Sequence, residues 1–213
     1  MKSLRLFLSL FFTGLPFFYL ANVYGSLPDT VPIHFDLFGN PDGFGPKWIL
    51  WLLPGLMIPL ILVVTARWRK DTRPDGSPSK LAQLGLITLG TVSVLFTYLI
   101  YVTQQGGSNG LNGIAVILGV IFALQGNYFP VLPRNKFVGF RIPKTLKSDR
   151  VWRETHRAIA PYFVGGGILL VVIGILAPAT VSGPAMIVLT LLILIVSFVI
   201  VYRIPPEQPS DLV

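Results

Sequence analysis

His34, Asp36 and Asp42 lie close together in one short segment, and an imidazole with two carboxylates is a donor set that suits a divalent cation. A metal held there would make the chain a membrane-bound hydrolase, with the ion polarising the scissile bond or activating water. The neighbourhood offers no evident fourth ligand or general base, which places this reading last. The run Phe38-Gly39-Asn40-Pro41-Asp42-Gly43 resembles a calcium loop only in part. Its first position would be Phe38 and its twelfth Ile49, and neither carries a carboxylate. Asn, Pro, Asp and Gly are also the residues that set turn geometry, so the segment reads first as a turn-rich loop with no metal and no cofactor. A second pattern, Gly106-Gly107-Ser108-Asn109-Gly110, fits G-x-S-x-G, but a nucleophile elbow needs a strand before it, a helix after it and a His partner. This one is a polar turn between two apolar runs. With no Cys there is neither a thiolate nucleophile nor a disulfide framework. The chain is therefore expected not to be an enzyme.

The other polar constellation is basic. Between Arg134 and Arg157 the residues Arg134, Lys136, Arg141, Lys144, Lys147, Arg150, Arg153 and Arg157 are interleaved with Asn135, Gly139, Pro143, Trp152 and His156. Ser148 is placed to cap a short helix on which Val151, Trp152, Thr155, His156 and Ile159 share one side, while Arg150 and Glu154 form an i,i+4 pair on the other. That helix would lie at the membrane interface before Pro161 opens the next span. Two readings stand side by side: an amphipathic basic anchor, or an anion- or protein-docking surface built around Arg141 and Arg157. Just upstream, Ala115, Gly119, Ala123 and Asn127 recur every four residues, a small-residue stripe that ends in an amide.

The elements that must position these residues are membrane helices. Of 213 residues 53% are hydrophobic and 12% charged, against about a quarter charged in a soluble domain. A soluble globular fold is excluded. Stretches free of charge and of His run from Leu6 to Pro28, Trp48 to Ala66, Leu81 to Pro133 and Ala158 to Tyr202; the last two are each long enough for two crossings of about 20 residues. They break at 104–110 and at Pro178–Pro184. The sequence thus predicts an all-α integral membrane protein with six transmembrane helices, near 5–24, 48–66, 82–102, 111–129, 159–177 and 184–202. Ala21-Asn22-Val23-Tyr24-Gly25 is a poor cleavage site, so the first span is expected to be retained.

Charge sets the orientation. Lys and Arg number 17 against 9 Asp and Glu, a net +8. They cluster before the first span (Lys2, Arg5), after the second (Arg67, Arg69, Lys70, Arg73, Lys80) and after the fourth, while the loops after the third and fifth have none. By the positive-inside rule both termini face the cytoplasm. This clustering records topology and argues against direct nucleic-acid binding. No Asp, Glu, Lys, Arg or His lies inside the apolar stretches, which disfavours a proton-coupled transporter or an intramembrane aspartyl protease. The domain reading is a two-helix unit over 5–66, a bridge of basic loop, third helix and outer turn over 67–110, a second unit over 111–203 and a tail over 204–213.

Two motifs resemble a known family. Val31-Pro32-Ile33-His34-Phe35 followed by Gly39-Asn40-Pro41-Asp42-Gly43-Phe44-Gly45-Pro46-Lys47 is similar to the N-terminal domain of unknown function in SdpI-type membrane proteins. Gly126-Asn127-Tyr128-Phe129-Pro130, Asn135, Gly139-Phe140-Arg141-Ile142-Pro143-Lys144-Thr145-Leu146 and Val151-Trp152-Arg153-Glu154-Thr155-His156-Arg157 resemble the SdpI immunity domain. Where that family commonly has Thr-Pro-Trp after the Arg, this chain has Ile142-Pro143-Lys144. The resemblance implies a bacterial plasma-membrane protein of the immunity and signalling type. Such a protein guards the cell against a secreted peptide toxin and, in its best-known form, holds a transcriptional repressor at the membrane.

The leading expectation is a non-enzymatic, two-sided binding protein in a phospholipid membrane. The outer segment, with His34, Asp36, Asp42 and Lys47, would meet an extracellular peptide toxin; its carboxylates suit a cationic one. The inner segment, with Asn127, Asn135, Arg141, Trp152, His156 and Arg157, would dock a cytoplasmic repressor or an anion. Gly39, Gly43, Gly139 and Pro143 are expected to shape backbone. The alternative is a transporter of lipid or a small amphiphile, its basic inner loop holding an anionic headgroup.

Overall fold

The computed structural model describes residues 2–70, 80–107, 110–136 and 138–206. Arg73 of the basic loop, Ser108 and Asn109 of the polar turn, and the tail from residue 207 lie outside the described residues. Helix α1 spans Lys2–Val23. A hairpin follows, β1 Thr30–Phe35 and β2 Pro41–Pro46, then a 3₁₀ turn Lys47–Trp51 and α2 Leu52–Lys70. Next come α3 Lys80–Gln104 and α4 Gly110–Tyr128, the short α5 Pro143–Lys147, α6 Asp149–Leu176 and α7 Ala179–Arg203. Six of these helices are long and apolar enough to cross a membrane. In lipid the helix is the form that satisfies backbone groups within the segment, and hydroxyls inside the spans follow the same logic: Thr65, Thr97 and Ser197 donate to carbonyls one turn back.

The spans differ from the sequence expectation in their ends. The fifth begins at Asp149, not near 159, as one continuous 28-residue helix. Pro161 removes a single N–H bond without ending it, because Trp152, His156, Ile159, Ala160 and Phe163 bury one face on both sides of the proline. The expected separate interfacial helix is thus the first part of α6. Ser148 does cap it, accepting from Val151 N–H at 3.2 Å, and Arg150 pairs with Glu154 at 3.2 Å. The sixth span begins at Ala179, with Pro178 as its N-cap and Pro184 within the helix.

The turn-rich loop is an antiparallel hairpin, with Thr30 opposite Pro46, Pro32 opposite Phe44 and His34 opposite Gly43, and an irregularity between Pro32 and His34. Three prolines fit because in a two-stranded sheet both strands are edges. Pro32 carbonyl faces away from β2 and accepts from Thr103 of α3.

Among the long helices, α4 and α6 share the largest interface; α3 packs against α1, α2 and α4, and α7 against α6 and α4. The α4–α6 contact is backbone on backbone. A Cβ at Gly119 would fall 2.5 Å from Gly167 O, and one at Gly167 would fall 2.5 Å from Gly119 O. The small-residue stripe is therefore used within the chain, against α6. The hairpin, the α3–α4 turn and the start of α7 gather at one end: Gly39 approaches Leu111, Gly107 approaches Phe35, and Gly183 meets Leu37 carbonyl. At the other end lie the 129–148 segment and the close of α7.

Candidate functional site

At the hairpin end, His34 Nδ1 meets Asp42 Oδ1 at 2.5 Å across the strands, and both side chains are largely exposed. Gly43 leaves room for this pair, since a Cβ there would stand 2.9 Å from His34 Cβ. Asp36 is not part of it. Its carboxylate accepts from the backbone N–H of Phe38 and of Asn40, each at 2.8 Å, and from Asn40 Nδ2 at 2.9 Å. These bonds hold its carboxyl below the ordinary carboxylate value, the Asn40 side-chain amide foremost. Gly39 at φ +89° completes the turn, in a conformation that favours glycine. Lys47 closes the base of the hairpin: its ammonium donates to Leu27 carbonyl at 3.1 Å, pairs with Asp29 at 3.2 Å and lies 5.2 Å from the Tyr24 ring centroid.

Of the four outer residues, then, the fold joins His34 with Asp42 and uses Asp36 and Lys47 to hold the hairpin. Among the described residues no three His, Asp or Glu side chains group as a metal site. The sequence reading passed over Ile33, Leu37, Phe38, Phe44 and Trp48, all more than 40% exposed at this end. Their signal was apolar side chains inside a segment of turn residues. With Asp29 and Asp42 they make the exposed side chains of this end acidic and aromatic.

At the basic end the motif residues form a small buried network. Trp152 and His156, both fully buried, stack with ring centroids 4.1 Å apart. Trp152 Nε1–H donates to Leu132 carbonyl at 2.8 Å. His156 Nδ1 lies 2.8 Å from Trp152 carbonyl, and its Nε2 accepts from Phe140 N–H at 3.0 Å. An acceptor nitrogen on one side and a carbonyl on the other assign the proton to Nδ1. Gly139 sits at φ +110°, and a Cβ there would collide with His156 Nε2 and stand 3.1 Å from the indole ring.

Asn135 folds the loop on itself, accepting from Val138 N–H at 2.8 Å and donating to Pro133 and Val138 carbonyls. Pro143 opens α5, where buried Thr145, overlooked in the sequence, donates to Phe140 carbonyl at 2.8 Å and accepts from Ile142 N–H at 3.1 Å. Lys144 donates to Val201 carbonyl at 2.9 Å and Tyr202 carbonyl at 3.3 Å, joining this loop to the close of α7.

The structure places three of the residues expected to contact a partner, Trp152, His156 and Asn135, in this network. The first two have no exposed surface, and the third is half-buried and bonded to its own loop. Asn127, Arg141 and Arg157 are exposed.

The two ends correspond to two recognised sequence families. A model described as a domain of unknown function, DUF1648, matches residues 11–58, which hold the hairpin. A model of the SdpI/YfhL protein family matches residues 131–203, which hold the buried network, α6 and α7. The chain is thus similar to the SdpI family over its last third and to DUF1648 near its start. It is 26% identical over 183 residues to the immunity protein SdpI of Bacillus subtilis (strain 168), covering 85% of this chain and 86% of that one. No solved structure matches it. With six apolar helices and these similarities, the chain is a multipass protein of the bacterial plasma membrane.

Proposed function

We propose that this protein confers immunity to a secreted peptide toxin through its hairpin end, which faces outward, and that its basic end faces the cytoplasm and docks a transcriptional repressor. One observation carries the reading beyond the family: the polar surfaces of the two ends are opposite in kind. The hairpin end presents Asp29, Asp36 and Asp42 with Lys47 as its basic residue, beside exposed Phe38, Phe44 and Trp48. The other end presents Arg141, Lys147, Arg153 and Arg157. An acidic aromatic platform attracts a cationic amphipathic peptide, and basic segments remain on the cytoplasmic side. The reading assigns the protein no reaction.

The test is survival of a bacterium sensitive to a secreted amphipathic peptide toxin, with wild type, the double variant Asp42→Asn/Phe44→Ser and Arg141→Gln at matched membrane levels. Wild type and Arg141→Gln are expected to protect, and the double variant to lose most of the protection. Wild type without protection, or a double variant that protects fully, would refute it. A repressor arm follows recruitment of candidate DNA-binding proteins to membranes, which Arg141→Gln should lower while survival holds.

A further inference from the structure

Helix α6 is longer than the membrane it crosses. Its 28 residues rise about 42 Å at 1.5 Å each, against a hydrocarbon core of about 30 Å. The uncharged part begins at Ala158, so the preceding turns, with Arg153 and Arg157 exposed on them, extend beyond the hydrocarbon into the layer of lipid phosphates. Beside this extension lies a cleft of about 330 Å³ whose walls include Pro130, Val131, Arg134, Asp149, Trp152 and Arg153.

The charges in the cleft do not cancel. Arg134 Nε pairs with Asp149 at 2.6 Å and its Nη1 donates to Leu146 carbonyl at 2.6 Å. Arg153 is exposed, and among the described residues no acidic side chain pairs with it. One positive charge is thus left over. Pro130 and Val131 are exposed at the lip, an apolar surface next to the membrane.

We propose that this cleft binds the headgroup of an anionic phospholipid, with Arg153 as the partner of the phosphate, Arg134 Nη2 as a second donor, and the acyl chains leaving over Pro130 and Val131 into the bilayer. A singly charged phosphodiester matches the single unpaired cation. Hydroxyls of a glycerol headgroup can donate to the second oxygen of Asp149, which Arg134 leaves available. An acidic protein segment would match the charge as well, but it would not use an apolar lip at the depth of the membrane interface. This site goes beyond the immunity reading and does not depend on it.

The experiment is native mass spectrometry of the full-length protein, delipidated in mild detergent and titrated with phosphatidylglycerol, phosphatidylcholine or inorganic phosphate. Wild type is expected to retain phosphatidylglycerol about tenfold more strongly than phosphatidylcholine, and Arg153→Gln to lose about that factor, the effect of one charge-assisted contact. Lys147→Gln, an equal loss of charge outside the cleft, should bind as wild type. Equal retention of the two lipids, or equal losses in the two variants, would overturn the proposal. So would millimolar inorganic phosphate displacing the lipid, since the site would then take a free anion. Both substituted side chains are exposed and outside the hydrogen-bond networks described above, so the fold tolerates them.

Discussion

Replacing Gly167 by Ala should drive α4 and α6 apart, whereas the same change at Gly165, two residues away on the same helix, should not. The new Cβ at 167 would stand 2.5 Å from Gly119 O and 2.6 Å from Ala123 N; at 165 it meets nothing within 4 Å. Ordinary contact begins near 3.4 Å, so the helices must separate by about 0.9 Å, and backbone atoms cannot rotate away as a side-chain tip would. A gap of that size forfeits a quarter to a half of each pairwise attraction along the seam. Between helices in lipid, where hydrophobic burial contributes little, packing is most of what holds the pair. Overpacking of this kind costs about 1–3 kcal/mol, while Ala in an open helical position gains roughly 0.5–1 kcal/mol over Gly. The two variants should therefore differ by about 2 kcal/mol or more. The assay is thermal unfolding of the purified protein in detergent, with size-exclusion chromatography alongside. Equal melting temperatures would refute the reasoning, and an altered oligomeric state with unchanged monomer stability would move the stripe to an interface between copies.

Other outcomes follow from the same geometry. His156→Ala should leave Phe140 N–H without its acceptor and open space against Trp152, costing about 1–3 kcal/mol or more. Limited proteolysis at Lys136 and Arg141 should speed up with it, and an unchanged melting temperature and cleavage rate would remove His156 from its positioning role. At the hairpin, Asp36 has a carboxyl value depressed below the ordinary 3.8. Its contribution to the turn is present above that ordinary value and lost as pH falls through the depressed one. Exchange of the Asn40 amide measured between pH 6 and pH 2 should show this loss, and Asp36→Asn should abolish the pH dependence attributable to this group. Lys144→Met should uncap the Val201 and Tyr202 carbonyls, raising hydrogen exchange near the close of α7 at a cost of about 1 kcal/mol.

The spans were legible because the penalty for burying charge in lipid leaves long gaps between ionisable residues, and those gaps place all six crossings. Their ends were less so. Arg150, Arg153, Glu154 and Arg157 put the expected start of the fifth span near 159, but charge does not end a helix whose buried face continues through His156, Ile159 and Phe163. The hairpin was hidden for another reason. Pro32, Pro41 and Pro46 argue against strand in general, and Gly43 and Gly45 interrupt any alternation; only a sheet with two edges and a close cross-strand approach accepts them. Motif residues stood out by type without disclosing their direction. A Trp and a His beside basic residues fit a contact surface as well as a buried stack, and what separates the two is the loop at Gly139, which brings Phe140 N–H onto His156 from sixteen residues away.

Helices α4 and α6 offer one route of communication between the two ends, and their contact limits its form. Helix α4 begins under the hairpin, where Leu111 packs near Gly39, and ends where Phe129 meets His156 edge-on with ring centroids 5.2 Å apart. Helix α6 runs beside it from that histidine to Ala177, whose carbonyl accepts from Asn112 at 2.9 Å. Between these points Gly119 and Gly167 touch backbone to backbone, and Gly126 and Gly174 lie against the facing helix. Sliding α4 along α6 by a turn would bring side chains onto glycine-sized gaps, so the interface favours one register. On the proposed immunity reading, a signal reaching this pair from the hairpin would then move it as a unit against α3 and α7, a shift that spin labels on α4 and α3 would detect as a changed distance on adding the toxin, while labels on α4 and α6 would keep theirs. The opposite pattern, α4 moving against α6 with α3 fixed, would refute this account of the coupling.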